Sequence, residues 1–298
     1  MNILSLFDGI SCGRLALERA GIPVTNYFAS EIDKHAITVA KKNWPTTQHI
    51  GSVTDIDTSV LPQIDILIGG SPCQSFSFSG KRNGMSTMDN IEVTSLDQYL
   101  ELKQHGFSFN GQSYLFWEYI RLLKETSPKY FLLENVKMAK KWETIISDTL
   151  GVQPIKINSN LITAQNRNRL YWTNITGIEQ PEKKNIVLAD IIDPDSSSYS
   201  YWTDSQMEKY YNKKYVWKEC YMVEPLTGKV KCLMAQMGTN APKIWHGNRF
   251  RRLTCKEWER LQTLPDDYTS GISESQRKKC IGNGWTVDVI THILKNIK

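Results

Sequence analysis

A cysteine, Cys73, sits in the stretch GGSPCQSFSFSG from Gly69 to Gly80. The apolar run Ile64 to Ile68 before it reads as a buried strand. Pro72 fixes the chain as it leaves that strand, Gly69 and Gly70 let a ligand approach the backbone, and Lys81 and Arg82 follow in the loop. A reactive cysteine acts as thiolate and needs exposure and positive surroundings. Taken alone, a solitary cysteine is more often an inert core filler. Two further stretches weigh against that reading. Glu134 in FLLENV ends another strand on the same rim, where partial burial would raise its pKa and make it a proton donor. In TAQNRNRLYW, an extended backbone points Gln165, Arg167 and Arg169 to one face. Two guanidiniums on one face bind phosphate or polarise a carbonyl oxygen; the plainer alternative is a solvated charged strand.

These residues need a frame. NILSLF, NYFASEI, IDILIGG and KYFLLENV read as strands. Helical patterns lie between them: GRLALERAG closed by Gly21, DKHAITVAKKNW, and YLFWEYIRLLKE. This alternation implies a mostly parallel sheet covered on both faces, with ligands at the carboxyl ends of its strands. The turn in LFDGISCGRLAL aims free backbone N–H groups at a ligand. Gly9 and Gly13 lack the G-x-G-x-x-G spacing of dinucleotide sites. Roughly twenty residues on, Glu31 can accept both hydroxyls of a ribose. A nucleoside with little or no phosphate fits, and S-adenosylmethionine is the commonest such cofactor. A tight structural turn with a surface glutamate remains the alternative.

With 40% hydrophobic and 22% charged residues and a net charge of +5, the 298-residue chain is of the soluble globular class. No apolar run reaches the ~20 residues of a membrane span, and MNILSLFDG is too short for a signal sequence. The chain is therefore expected in the cytoplasm. The six cysteines form no C-x-x-C pair and have no histidine cluster beside them, so neither zinc nor a disulfide framework is expected. After residue 175 the alternation stops, and residues 176–248 are rich in Tyr, Trp and Lys. The last fifty residues turn helical again: LTCKEWERLQTL, SESQRKKCIG and TVDVITHILKNI.

A thiolate, a proton-donating carboxyl and arginines around a methyl donor suit one reaction. Cytosine C5 is a poor nucleophile until a thiolate adds at C6. The ring accepts the thiolate when N3 and O2 are held by a proton and positive charge. Glu134 would serve N3, and Arg169, with Arg167 near it, would serve O2 or the phosphate. The sequence here resembles the C5-cytosine DNA methyltransferases. The likeness rests on LFDGISCG, SEIDKHA, GGSPCQSFSFSG, FLLENV, QNRNR, RRLTCKEWERLQTLPDDY and IGNGWTV, in the family's order, and spans the chain except 176–248.

The resemblance implies an α/β fold: a Rossmann-like S-adenosylmethionine-dependent methyltransferase core with a mixed, mostly parallel sheet, plus a small target-recognition domain. Residues 1–175 would form the catalytic and cofactor-binding core, 176–248 the recognition domain, and 249–298 helices returning to the core. It implies Cys73 as nucleophile with Glu134, Arg167 and Arg169 as partners. It implies Phe7, Gly9, Glu31, Ile32, Pro72, Leu115 and Asn283 around S-adenosylmethionine and its product S-adenosylhomocysteine. LFDGI and NGWTV resemble the animal de novo branch, which adds Trp285. Ser11 and Cys12 replace later glycines of the first turn, and Ser52 stands where an aspartate usually binds the adenine amino group. Residues 88–111 form a longer connection than usual.

The expected partner is double-stranded DNA, acted on by a monomer, with a cognate restriction enzyme beside it. The target cytosine must leave the stack. The loop Ser75 to Met85 would close over it, while Tyr201, Trp202, Tyr215, Trp217 and Trp245 face the groove or form their own core. A tRNA cytosine-5 methyltransferase and an inactive DNA-binding regulator are the alternatives; the first lacks its late Cys-Phe-Thr motif here, and the intact Cys73, Glu134 and arginines oppose the second.

Overall fold

The computed structural model describes every residue except 73–84, 196, 198, 213–224 and 236–240. Cys73, the loop residues 75–84 with Lys81 and Arg82, and Tyr215 and Trp217 lie outside the described residues. The chain divides into two compact units. One comprises Met1–Ile157, Asn168–Glu179 and Thr291–Lys298; the other comprises Asn158–Arg167 and Gln180–Ile290.

The first unit is built on a seven-stranded sheet of β1 (Asn2–Leu6), β2 (Asn26–Ser30), β3 (Gln48–His49), β4 (Ile66–Gly69), β5 (Tyr130–Val136), β6 (Ile155–Asn158) and β7 (Asn168–Thr173). Their order is β3-β2-β1-β4-β5-β7-β6. The pairs β1–β2, β1–β4, β2–β3 and β4–β5 are parallel, whereas β7 runs antiparallel to β5. Every residue of β4 is buried, as a strand covered on both faces requires.

Helices α1 (Cys12–Arg19), α2 (Lys34–Asn43), α3 (Leu96–Gln104), α4 (Phe116–Thr126) and α5 (Lys140–Leu150) lie between the strands. Asp33 caps α2 by accepting from His35 N, and Ser95 caps α3 by accepting from Gln98 N. Gly21, at φ +74°, follows α1 as expected and donates its N–H to Glu18 O. Trp117, Trp172, Phe116 and Tyr119 are fully buried in the core between sheet and helices, and Trp172 Nε1 donates to Ser147 Oγ of α5 at 2.9 Å.

In the second unit, α6 (Asp204–Tyr211), the antiparallel hairpin of β8 (Lys243–His246) and β9 (Arg249–Arg252), α7 (Cys255–Leu261), α8 (Glu274–Asn283) and the start of α9 (Val287–Leu294) follow one another. Trp202, Met207 and Phe250 form a small apolar core. Trp202 is thus a core residue, whereas Tyr201 and Trp245 remain 40% and 41% exposed.

Beside that core, Arg251 and Glu257 form a fully buried ion pair with two parallel hydrogen bonds, at 2.9 and 2.7 Å. Glu257 also accepts Thr254 N and Asp193 N, so one carboxylate caps α7 and holds the 193 loop. Breaking a buried pair leaves an uncompensated charge. Arg251→Met is expected to lower the urea-unfolding free energy by about 3–5 kcal/mol. Adding Glu257→Gln, which removes the stranded charge, should recover part of that loss; a double variant no more stable than the single one would refute this account.

Candidate functional site

The parallel register aligns Leu6, Ser30, Gly69 and Leu133 across four strands. The residues just beyond them are Phe7, Glu31, Gly70 and Glu134, so the sheet itself carries these to one rim. The turn after β1 is unusual: Phe7, Gly9 and Ser11 all have φ between +56° and +59°. Glycine accepts this region freely, but Phe7 and Ser11 bear a steric cost of about 1–2 kcal/mol each.

The strain is held by hydrogen bonds. Asp8 N donates to Ser30 O of β2, and Gly9 N donates to Glu31 Oε2 at 2.8 Å. Glu31 Oε1 accepts Ile32 N and Asp33 N, each at 2.8 Å. A carboxylate offers about four acceptor positions, so Glu31 keeps capacity for a ligand hydroxyl while organising its own turn. Ile32 beside it is 72% exposed, an apolar surface next to that acceptor.

Farther along the rim, Ser52 follows Gly51, whose φ is +79°. Ser52 Oγ caps the short turn Val53–Asp55 by accepting Thr54 N and contacts Thr54 Oγ1 at 2.7 Å. Leu115 ends the Ser113–Leu115 turn and leads directly into α4. Beyond β4, Asn135 Nδ2 donates to Ser71 O and Ser71 Oγ at 3.2 and 3.0 Å. Asn135 thereby fixes the chain just ahead of Pro72 and Cys73. Sequence reasoning singled out Glu134 and passed over its neighbour, although alternation along β5 places the two side chains on opposite faces.

Glu134 is 8% exposed. Arg169 Nε lies 2.8 Å from Glu134 Oε1, because Glu134 pairs with Tyr171 across β5–β7 and Arg169 is the diagonal neighbour. Arg169 Nη1 donates to Asn168 O. Arg167 differs from the expectation of two guanidiniums on one face. The strand begins only at Asn168, and Gln165 makes an isolated bridge to Val230 instead, so the period of two does not run from 165 to 169. Arg167 is 4% exposed, and its guanidinium donates to the carbonyls of Leu233, Gly282 and Gly284. The last two lie at the end of α8, where orphan carbonyls attract a cation.

At Gly282 a Cβ would come within 2.4 Å of Met234 C and 2.6 Å of Ala235 N, so only glycine admits this backbone approach. Gln262 Nε2 donates to the carbonyls of Ile281 and Gly284, holding the same corner. Asn283 is exposed and Trp285 half-buried on this clamped segment.

Asp8 was not foreseen as special. Its carboxylate accepts hydroxyls from Ser5, Ser11 and Tyr27 and is 9% exposed. Burial pushes its pKa up to about 6, against the pull of those hydroxyls. An unfolded aspartate titrates near 3.9. Between these values the folded chain holds a proton that the unfolded chain has lost. Stability contributed by this group is therefore full below about pH 4 and lost as the pH rises through about 6. Asp8→Asn removes the titration. Its stability relative to the native protein should rise by about 2–3 kcal/mol from pH 4 to pH 7, as read from urea unfolding at a series of pH values. A difference that stays flat across that range would refute the raised carboxyl.

Among the described residues no cluster of His, Cys, Asp and Glu could hold a metal ion, and no helix is long and apolar enough to cross a membrane. A model of the C-5 cytosine-specific DNA methylases matches residues 1–95, 101–222 and 144–298. The chain is 28% identical to the type II methyltransferase M.NlaX of Neisseria lactamica, covering 100% of this chain and 96% of that one. It is 29% identical to the type II methyltransferase M1.ScrFI of Lactococcus lactis subsp. cremoris, covering 99% and 77%. Among solved structures, the methyltransferase EhMeth of Entamoeba histolytica superposes with a TM-score of 0.72 at 15% identity, covering 99% and 97%. The Dnmt2 methyltransferase of S. pombe gives 0.69 at 18%, with the same coverage. These structural likenesses show a shared fold, and the family match runs through both units: the chain belongs to the C-5 cytosine-specific DNA methylases.

Proposed function

We propose that this protein transfers a methyl group from S-adenosylmethionine to C5 of a cytosine rotated out of duplex DNA, with Cys73 as the nucleophile. The observation that carries this reading is the sheet rim, where register brings Phe7, Glu31, the approach to Pro72, and Glu134 into one row. The rim suits the cofactor. Glu31 retains acceptor capacity for a ribose hydroxyl, Ile32 offers an exposed apolar surface, and the Gly51–Ser52 turn borders the same edge.

When bound, S-adenosylmethionine supplies an electrophilic methyl on a sulfonium. The Cys73 thiolate adds to C6, forming a C–S bond and passing an electron pair to C5. Glu134 donates a hydrogen bond or proton to N3, so that the ring can take up that charge, and Arg169 holds Glu134 in position. C5 takes the methyl as the S–CH3 bond breaks, leaving S-adenosylhomocysteine. Loss of the C5 proton to a base and breakage of the C6–S bond restore the thiolate. Arg167, committed to carbonyls at the end of α8, acts through the segment bearing Asn283 and Trp285. Rotating the base out of the stack costs a few kcal/mol.

Residues 176–248 form the target-recognition part in this reading, with exposed Tyr201 and Trp245 toward DNA. The protein works as a cytoplasmic monomer alongside a cognate restriction endonuclease.

Bisulfite sequencing of DNA from expressing cells, with tRNA treated in parallel, should reveal methylated cytosines in DNA. Methylation confined to tRNA would overturn the DNA reading. Cys73→Ser should abolish methyl transfer, because a hydroxyl is far less ionised than a thiol. The native protein should form a covalent adduct with DNA carrying 5-fluorocytosine, and a serine variant with normal turnover would end the mechanism. Glu31→Ala should weaken S-adenosylmethionine binding by about 1–3 kcal/mol. Arg169→Ala should instead lower kcat by ~10²–10³. Calorimetry and single-turnover rates separate the two, and equal losses of cofactor affinity would contradict the assigned roles.

A further inference from the structure

The connection 88–111 packs its helix α3 against α4 around a buried carboxylate. Glu118 of α4 is fully buried and carries three cationic or hydroxyl donors. Tyr99 Oη donates to Oε1 at 2.5 Å, and Lys103 Nζ donates to the same oxygen at 2.6 Å. Arg121 Nε donates to Oε2 at 2.7 Å. Tyr99 and Lys103 come from α3, so the connection supplies two of the three donors. Burial, then the bond to Glu118, drives the Tyr99 hydroxyl far above its ordinary pKa, which keeps it a donor.

Arg121 faces the opposite way as well. Its Nη2 donates to Val53 O at 3.2 Å and its Nη1 to Ile56 O at 3.4 Å, with Glu125 holding the same guanidinium. These carbonyls belong to the turn that Ser52 caps. A cavity of about 380 Å³, lined by Thr54, Tyr99, Lys103, Phe109 and Tyr114, lies between that turn and the connection. Val53 and Ile56 anchor the turn in the apolar core, and on its cleft side the hydrogen bonds through Glu118 and Arg121 add a directional restraint on its carbonyls.

The sheet order says which part of the cofactor this turn would meet. The methyl must reach the β4–β5 side, where Pro72 and Glu134 lie, and the ribose sits at Glu31 after β2. The base then extends toward β3 and the Gly51–Ser52 turn. We propose that residues 88–111 are a positioning element for the base of S-adenosylmethionine, acting through Tyr99, Lys103, Glu118 and Arg121 on the turn 52–56. The inference rests on the cofactor reading above. Their hydrogen bonds run to one another and to the carbonyls of Val53 and Ile56, so their action on the cofactor passes through that backbone.

The test is calorimetry on purified full-length protein with S-adenosylmethionine and with 5′-methylthioadenosine, which keeps the base and ribose but lacks the amino-acid end. Arg121→Met should raise the Kd of both ligands by the same factor, about tenfold, since the bonds to Val53 O and Ile56 O that hold the turn are long and together contribute a net restraint of about that size. Its kcat at saturating cofactor should stay within about twofold, because a ground-state binding loss that is saturated out leaves the chemical step intact. Arg121→Lys should restore part of the affinity. If Arg121→Met does not fold, Tyr99→Phe combined with Lys103→Met provides the same reading from the α3 side. Folded variants with the native Kd for both ligands would overturn the inference and leave the cofactor reading standing. A lower thermal stability is expected, because Glu118 loses a cation; parallel losses in kcat and DNA binding at saturating cofactor would show a merely structural role and overturn the inference too. A native protein that binds neither ligand would overturn the cofactor reading, and this inference with it.

Discussion

The carboxylate of Glu31 is the interaction on which the rim depends. Gly9 reaches it from the end of β1, and Ile32 and Asp33 reach it from the end of β2. Those three N–H groups would otherwise be orphaned where strands give way to turns. Gathering them on one carboxylate draws two neighbouring strand ends together. It also supports the left-handed backbone at Phe7 and Ser11, which the sequence alone would not favour. A ligand arriving at Glu31 therefore meets a surface already ordered by the protein, and little conformational freedom is left to lose on binding.

Buried charge recurs wherever this fold must fix a loop. Glu118 ties α3 to α4, Glu257 ties β9 to α7 and to the 193 loop, and Glu259 accepts Thr269 N, Asp267 N and Arg277 Nη2. In each case the carboxylate is fully buried and several donors converge on it. Such sites contribute little net stability compared with apolar packing. They specify geometry, because each donor must lie in a particular direction to be satisfied.

The parallel sheet and its helices were legible because apolar runs of strand length alternate with helical spacing. Glu31 and Glu134 were legible because each directly follows or ends such a run. Other features were hidden for physical reasons. A period-two reading from Gln165 to Arg169 assumes one continuous strand, but Gln165 bridges Val230 and the strand starts at Asn168. Glu118 reads from sequence as one charge on an amphipathic helix, and only tertiary packing shows that Tyr99 and Lys103 bury it. Asp8 looks like any turn aspartate until Tyr27, nineteen positions away, is seen donating to it. Trp202 and Trp245 are indistinguishable as letters, yet one is core and the other lies 41% exposed. Local pattern thus predicts elements well; it does not predict which distant group satisfies a polar side chain.

The first unit is assembled from pieces at both ends of the chain. Its last piece, Thr291–Lys298, is tied to elements far away in sequence: Thr291 Oγ1 donates to Ala16 O, 275 positions off, Tyr130 Oη donates to Lys298 O, 168 positions off, and His292 Nε2 meets Glu179 O. Closing loops of that length costs chain entropy before any contact repays it, so this docking belongs late in folding, after the strands of the seven-stranded sheet, all of which lie before residue 174, have paired. Until it docks, the surface that it covers on α1 and β5 faces water.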